Sequence, residues 1–333
     1  MLPDTKRPGD GDEKHLHFYA DYEPPTDDFL ADTIAGLSQA QKSISPKYFY
    51  DKKGSALFDE ICRTPEYYIT RTELELLDRV LPEVSSMTGP EAIVIEWGSG
   101  SSWKIRKVLD ALDNPAEYIA IDISGDHLKA AANEIARQYP QVKVGAICAD
   151  FLAPVHLPEV ALVSEGRRLG FLPGSTIGNF EPPVAQEILK RAAGILESGA
   201  ALLIGTDLEK DERIMLSAYN DAGGITAAFN LNLLERMKAE LGAEAEIDAF
   251  AHEAIYNTEH HRIEMHLRAS RATEIVIGEN RFSFDEGESV HSENSHKFTV
   301  QGFQEIARNA GFEPGPTWTD PDGLFALHYL TLP

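Results

Sequence analysis

Residues 92–102 read Ala92-Ile93-Val94-Ile95-Glu96-Trp97-Gly98-Ser99-Gly100-Ser101-Ser102, an apolar run that meets a glycine-rich turn. An apolar run of this length without alternation predicts a parallel strand buried on both faces. The turn leads into a predicted helix with Ile105, Val108, Leu109 and Leu112 on one face. Strand, glycine turn and helix in that order are a nucleotide-binding signal, because glycines let the backbone approach a ligand and the helix N-terminus offers unbonded N–H groups. The third glycine of GxGxxG is missing, which weakens the case for a dinucleotide and for NAD-dependent hydride transfer.

Outward from this stretch the alternation continues. Strands are predicted at Tyr118 to Asp122, Val142 to Ala149, Leu169 to Pro173 and Ala200 to Thr206, with helices from His127 to Gln138 and from Val184 to Leu196. A βαβα order of this kind implies an α/β fold with a parallel, doubly wound sheet. Asp122 ends the strand after the glycine turn, where a carboxylate can hold a ribose diol through two hydrogen bonds. Asp150-Phe151 follows the next strand and offers an acceptor for an adenine amino group and a ring to stack on it. Three such features at the carboxyl ends of successive strands suggest S-adenosylmethionine, a nucleoside without phosphates.

The flanks have a different character. Residues 1–23 are polar with Pro, Gly and mixed charge and are expected to be mobile. Asp27 to Gln41 has helical apolar spacing, and a further helix is predicted from Thr72 towards Val80. Between them lie Tyr48-Phe49-Tyr50-Asp51, Gly54 to Asp59 and Thr64-Pro65-Glu66-Tyr67-Tyr68, an aromatic-rich block expected to be a loop packed over a core or a binding element. Asp211 to Leu241 reads as helix interrupted at Asp221-Ala222-Gly223-Gly224. From His252 to Val290 the period is two, with Ile263, Met265 and Leu267 on one face and Arg262, Glu264, His266 and Arg268 on the other. The tail returns to a helix over Gln301 to Ala310 and then two strands.

The composition limits the partners. Thirty Lys+Arg against 54 Asp+Glu give a net charge of -24 in 333 residues, which opposes nucleic acid and anionic membrane surfaces. Two cysteines, Cys62 and Cys148, form neither a CxxC pair nor a disulfide framework. The opening residues lack the apolar segment of a signal peptide, no apolar run is long enough to span a bilayer, and a cytoplasmic monomer is expected. His252, His260, His261 and His266 invite a metal hypothesis, but no HExxH or matching acid spacing accompanies them; a solvated or structural role and no metal are expected.

Read as longer blocks, the sequence resembles the histidine Nα-methyltransferases of ergothioneine biosynthesis. The blocks are YFYDKKGSALFDEI, TPEYYITRTE, EWGSGSSWKIRKVLDAL, IAIDIS, FLPGSTIGNFEP, GTDLEKD, AYNDAGGITAAFN, RIEMHLRA and ENSHKF, in the family's order. The resemblance implies a class I (Rossmann-like) methyltransferase sheet over residues 72–207 plus 298–333, and a second, smaller α+β substrate domain over 24–71 plus 208–297. It implies S-adenosyl-L-methionine as co-substrate and free L-histidine as the small-molecule substrate, trimethylated to the betaine hercynine. It places Tyr50, Phe58, Gly98, Lys104, Asp122, Asp150 and Phe151 at the cofactor and Gly174 where cofactor and substrate join. Asn179 and Tyr219 are implied to hold the substrate carboxylate, and with Tyr50 to form the catalytic set. Tyr67, Glu293 and Ser295 would address the imidazole, and Thr226, Phe229 and Met265 would shape the amino-acid cavity.

The chemistry of these residue types agrees. A carboxylate needs donors such as an amide and a phenol, and a neutral imidazole offers one donor and one acceptor, so a carboxylate and a hydroxyl can read both nitrogens. Glu293 and Ser295 are two apart, so in a strand they share a face while Asn294 points away. Methyl transfer to an amine needs orientation more than acid–base machinery, and the trimethylammonium product suits aromatic faces such as Tyr50 or Phe229. A relative acting on tryptophan or tyrosine, and a catalytically idle scaffold, are the alternatives; the retained Glu293 argues against the first, and the intact Gly98, Asp122, Asp150 and Asn179 against the second.

Overall fold

The computed structural model describes residues 15–22, 29–100, 102–150, 155–158, 161 and 165–333. Phe151, expected at the adenine ring, lies outside the described residues. Along the chain run β1 (Phe18–Asp21), α1 (Phe29–Leu37), α2 (Lys52–Ile61), α3 (Tyr68–Thr88), β2 (Ile93–Trp97), α4 (Trp103–Ala111), β3 (Glu117–Asp122), α5 (Gly125–Gln138), β4 (Lys143–Cys148), β5 (Arg168–Leu172), α6 (Pro182–Leu196) and β6 (Ala201–Asp207). There follow α7 (Glu212–Ala218), α8 (Ile225–Leu241), β7 (Glu244–Ala245), β8 (Phe250–Asn257), β9 (Arg262–Ala269), β10 (Thr273–Ile277), β11 (Asn280–Phe284), β12 (Ser289–His296), α9 (Val300–Asn309), β13 (Glu313–Thr319) and β14 (Phe325–Thr331). The chain divides into two compact units, one of Met1–Pro24, Thr72–Leu208 and Phe298–Pro333, the other of Pro25–Arg71 and Glu209–Lys297.

The first unit is built on an eight-stranded sheet of order β1-β4-β3-β2-β5-β6-β14-β13. The six strands from β1 to β6 pair in parallel, and β14 and β13 add antiparallel at the far edge. Strand order reverses between β2 and β5, the switch point beyond whose carboxyl ends open α/β sheets bind ligands. The continuous apolar runs foresee the burial: β2 and β6 are buried at every position. Ile93, Ile95, Ile119, Ile121, Leu202 and Ile204 form the sheet's contribution to a core closed by Ile188, Leu189 and Phe303 from α6 and α9.

The N-terminal stretch departs from the expectation of mobility. Residues 1–23 are not mobile throughout, because Phe18–Asp21 form β1 and pair with Gly145 to Cys148 of β4. Phe18, Tyr19 and Ala20 are buried, and Gly145 leaves the space the Phe18 ring occupies, since a Cβ there would lie 2.2 Å from that ring. The stabilisation comes from burying apolar surface and pairing the sheet edge, which the polar neighbours of this short segment obscure in the sequence.

The second unit holds two three-stranded sheets, β12-β9-β8 and β11-β10-β7, with their strands antiparallel. The aromatic-rich block, for which a loop was among the expectations, is helical over Pro46–Phe49 and Lys52–Ile61, while Thr64 to Tyr67 lie outside helices. Asp51 caps α2 by accepting the Gly54 N–H at 2.8 Å. Gly54 lets the preceding turn sit against the helix, because a Cβ there would lie 1.7 Å from the Phe49 carbonyl oxygen. The buried Phe229, Leu233 and Met237 contribute to the core of this unit. No helix among the described residues is long and apolar enough to cross a membrane.

Candidate functional site

In the first unit, three of the sequence-predicted residues line up on the carboxyl edge of the sheet. Gly98 follows β2 with φ +73°, and its N–H donates to the Ile121 carbonyl at 2.9 Å. Among the described residues, a Cβ at Gly98 or Gly100 would meet nothing within 4 Å. Asp122 ends β3, accepts the Ser124 N–H at 2.8 Å, and has its carboxyl pushed up chiefly by burial. The Ala149 N–H donates to the Asp122 carbonyl at 3.0 Å, which sets the half-buried Asp150 beside it past the end of β4.

Lys104 and Gly174 are brought together by a residue that the sequence reading did not single out. Glu73 of α3 is fully buried, pairs with the Lys104 ammonium at 2.5 Å, and accepts the Gly174 N–H on both oxygens at 2.9 and 3.0 Å. Gly205 of β6 makes room for it, since a Cβ there would lie 2.5 Å from the Glu73 carboxylate. Gly174 has φ +78° and Ser175 φ +57°, so the chain leaves β5 through two left-handed residues. The Ser175 hydroxyl accepts the Asp207 N–H at 2.9 Å, and the short 3₁₀ turn Thr176–Asn179 then carries the half-buried Asn179 at its end. The only sequence signal for Glu73 is its place in TPEYYITRTE; as a single acid on a helix it reads as solvated. Nearby in the same sheet, Glu96 accepts from the Tyr118 hydroxyl at 2.5 Å and burial pushes its carboxyl up to about 8.

In the second unit, five predicted residues form a connected aromatic group. Tyr50 packs edge-on against Phe58 and Phe229 at ring-centre separations of 5.8 and 6.0 Å. Phe58 lies 6.0 Å from Phe229 and 6.3 Å from Tyr67, and Tyr67 lies 6.1 Å from Tyr219. Edge-to-face rings at these spacings attract through their quadrupoles, and aromatic faces suit a cation. Burial, with Tyr219 next in effect, pushes the Tyr67 hydroxyl well above the usual phenol range, so it stays protonated. Thr226 is buried at the start of α8, where its N–H donates to Asp221 at 2.7 Å.

Glu293 and Ser295 owe their direction to an irregularity in β12. Register runs Ser295 opposite Ile263, Asn294 opposite Glu264 and Glu293 opposite Met265, then shifts so that His291 faces His266. Directly opposed residues share a face, so Glu293, Ser295 and Met265 lie together while Asn294 lies on the Glu264 side. The extra residue, Ser292, is buried and donates to Asn230 at 2.7 Å. Without this bulge His291 and Glu293, two apart, would share a face. Ser295 and Tyr219 are hydrogen-bonded at 2.7 Å, and burial pushes the Glu293 carboxyl up to about 7 against the opposing pull of Lys297.

The histidines are distributed differently from the sequence cluster. His252 bonds Asn230 and the Tyr219 carbonyl, and His260 and His261 sit in the exposed β8–β9 turn. A separate group, Glu264, His266 and His291, lies with donor atoms within 4.8 Å of one another. Its atoms are already engaged: Glu264 accepts from Arg262 at 2.8 Å and Asn257 at 2.9 Å and meets His266 at 3.1 Å, while His266 meets Ser289 at 3.1 Å and His291 bonds the Glu293 carbonyl at 3.0 Å. We read this group as a hydrogen-bonded brace behind the Glu293 strand.

A family model described as histidine-specific methyltransferase, SAM-dependent, matches residues 29–332. The chain is 41% identical over 301 residues to the histidine N-alpha-methyltransferase of Mycolicibacterium smegmatis, covering 89% of this chain and 92% of that one. The Mycobacterium tuberculosis protein of the same name matches to the same extent. Ergothioneine biosynthesis protein 1 of Neurospora crassa is 30% identical over 294 residues, covering 84% of this chain and 32% of that longer one. The chain therefore belongs to the family of histidine-specific, S-adenosylmethionine-dependent methyltransferases.

Proposed function

We propose that the protein trimethylates the α-amine of free L-histidine with S-adenosyl-L-methionine, giving the betaine hercynine as the first step of ergothioneine biosynthesis. The observation that carries the histidine reading is the shared face of Glu293, Ser295 and Met265, with Ser295 bonded to Tyr219. Glu293 is an acceptor for an imidazole N–H and Ser295 a donor to the other ring nitrogen. Tyr67 is assigned to the same ring. Thr226, Phe229 and Met265 are assigned to the walls of the amino-acid cavity.

The residues of the first unit fit a nucleoside. The turn at Gly98 and Gly100 admits close backbone approach, and the carboxylates of Asp122 and Asp150 at adjacent strand ends are acceptors for sugar hydroxyls and a base amine. Lys104, held by Glu73, and Gly174 complete this set, with Tyr50 and Phe58 assigned to the cofactor from the second unit's aromatics. The bound sulfonium supplies an activated methyl group, so the chemistry asked of the protein is orientation and desolvation of the amine. Asn179 and Tyr219 are assigned to the substrate carboxylate. The aromatic group around Tyr50 and Phe229 tolerates a growing ammonium that can no longer donate hydrogen bonds. A cytoplasmic monomer with no metal and no nucleic-acid or membrane partner belongs to the same proposal, and the net charge of -24 supports the last point.

Mass spectrometry of the protein with S-adenosylmethionine and an equimolar mixture of free amino acids tests the reading. Histidine alone should gain up to three methyl groups. Methylation of tryptophan or tyrosine instead would overturn the assignment of Glu293 and Ser295 while keeping the cofactor. Absence of any methylation would favour a scaffold.

A further inference from the structure

Asn230 is fully buried on α8, among the buried Phe229, Leu233 and Met237, and the function described above gives it no role. An amide is costly in such a place unless its polar atoms are matched, and asparagine is a poor helix former. Both atoms are matched. The amide nitrogen donates to the His266 carbonyl at 3.0 Å and meets His252 Nδ1 at 2.9 Å, while Oδ1 accepts from the Ser292 hydroxyl at 2.7 Å. His252 Nε2 in turn meets the Tyr219 carbonyl at 2.8 Å. We propose that Asn230 is a positioning residue for the amino-acid substrate: it locks the β12 bulge that aims Glu293 and, through the His252 ring, fixes the backbone of Tyr219. The inference rests on the amino-acid pocket assigned above and deepens it.

The directions of these bonds follow from their partners. A carbonyl only accepts, so the His266 carbonyl fixes which end of the amide is nitrogen. The second N–H of that nitrogen points at His252 Nδ1, which therefore accepts and leaves the ring proton on Nε2. The Tyr219 carbonyl requires the same tautomer, since it too only accepts. Burial holds the His252 ring below the usual histidine range, which keeps it neutral. The amide oxygen is left facing Ser292, whose hydroxyl donates to it and also reaches the Met265 carbonyl at 3.0 Å. Exchanging the two ends of the amide would set its oxygen against the His266 carbonyl. A single orientation thus ties β8, β9 and β12 to α8.

The lock opposes a slip in register. The other end of β12 is pinned: the His291 N–H donates to the Lys42 carbonyl at 2.8 Å, the Ile44 N–H donates to the His291 carbonyl at 3.0 Å, and His291 faces His266. With that end fixed, taking Ser292 into the ladder would move each later residue of β12 by one place along β9. Glu293 would then oppose Glu264 in place of Met265, setting like charges face to face, and Ser295 would leave the face it shares with Met265. Asn230 holds Ser292 out of the ladder from a different element, so the aim of Glu293 is set by α8 as well as by its own strand.

A double-mutant cycle in the full chain tests this. Asn230→Ala should raise KM for histidine about tenfold or more, while calorimetric affinity for S-adenosylmethionine stays within about twofold. Ser292→Ala removes one bond of the lock and should raise KM about threefold. In a Glu293→Gln background both effects should shrink, because the carboxylate that the bulge aims is already gone. The Asn230→Ala effect should fall there to about threefold, the part carried through His252 and Tyr219. A merely structural role would lower stability and give the same fold-change in both backgrounds. Equal fold-changes in the two backgrounds, or an unchanged KM in both single variants, overturn the inference. If Asn230→Ala fails to fold, the Ser292→Ala cycle decides alone by the same criterion. Wild type that methylates histidine while the variants match it fails this inference alone; wild type that methylates no amino acid fails the function on which it rests.

Discussion

In the unit that carries the glycine turn, the cation Lys104 meets a carboxylate, Glu73, at 2.5 Å, and that carboxylate also fixes the backbone of Gly174. In the other unit the buried cation Lys297 meets two hydroxyls, and its carboxylate neighbour Glu293 is pushed up to about 7. The first arrangement neutralises charge to hold a main-chain turn in shape. The second gathers an ammonium and two hydroxyls on side chains, beside the shifted register that turns Glu293 to the Met265 face. A backbone-built site needs rigid pairing beneath it, whereas a side-chain-built site depends on how strand register aims each group.

The sharpest way to break this contrast is Glu73→Leu. It leaves Lys104 without its partner and the Gly174 N–H without an acceptor, and removing one member of a buried pair costs about 3–5 kcal/mol. Urea unfolding of the variant should show a loss of that size. A loss near zero would mean that the turn after β5 holds its own shape.

Second in size is a pH effect at Glu96. Burial raises its folded-state carboxyl to about 8 from an ordinary value of 4.5, so the folded protein binds a proton that the unfolded chain releases. The associated stability is fully present below about pH 4.5 and is lost as pH rises through about 8, on the order of 3–5 kcal/mol across that window. Measured without cofactor, Glu96→Gln should flatten the fall in stability between about pH 4.5 and about pH 8. An equally steep fall in the variant would assign the slope to other groups.

Glu293→Gln tests the recognition side. The amide keeps the shape but loses the carboxylate, and a charge-assisted hydrogen bond is worth about 1.5–3 kcal/mol, or roughly 10–100-fold in kcat/KM for histidine. Affinity for S-adenosylmethionine should be unaffected, as read by calorimetry. Parallel loss of both would show that the division of labour drawn here is wrong.

The two regions also differed in how far they could be read from sequence. The strands flanking Gly98 declare themselves because a buried parallel strand is a continuous apolar run, and Asp122 gains meaning simply by ending one. Glu73 did not, since nothing in a helical acid tells whether it faces water or the interior. In the second unit the period-two pattern separated Met265 from Glu264 and His266, yet the facing of Glu293 depends on the bulge at Ser292, which no local pattern announces. The groups around Ser295 come from the residue after α7 and the residue after β12, and only the resemblance named Tyr219. Lys297 stayed unread because a lysine beside His296 and Phe298 looks like a surface residue until the fold buries it. β1 was missed for the opposite reason, a short apolar segment embedded in a polar terminus.

Helix caps give the finest version of the comparison. Thr299 caps α9 in the first unit by accepting the Gly302 N–H at 3.0 Å. Asp51 caps α2 in the second unit and also accepts from the Asn232 amide of α8 at 2.8 Å, so one carboxylate both starts a helix and ties it to its neighbour. Thr299→Ala should cost about 1 kcal/mol, the ordinary value of a cap. Asp51→Ala should cost about 2 kcal/mol, because the Asn232 amide loses a charge-assisted partner as well. In an Asn232→Ala background the cost of Asp51→Ala should fall back towards that of the cap alone, and the difference measures the tie. If both caps cost the same and the background changes nothing, α2 is held against α8 by apolar packing. The aromatic residues Tyr50 and Phe58 would then owe their positions to Phe229 rather than to the polar tie beneath them.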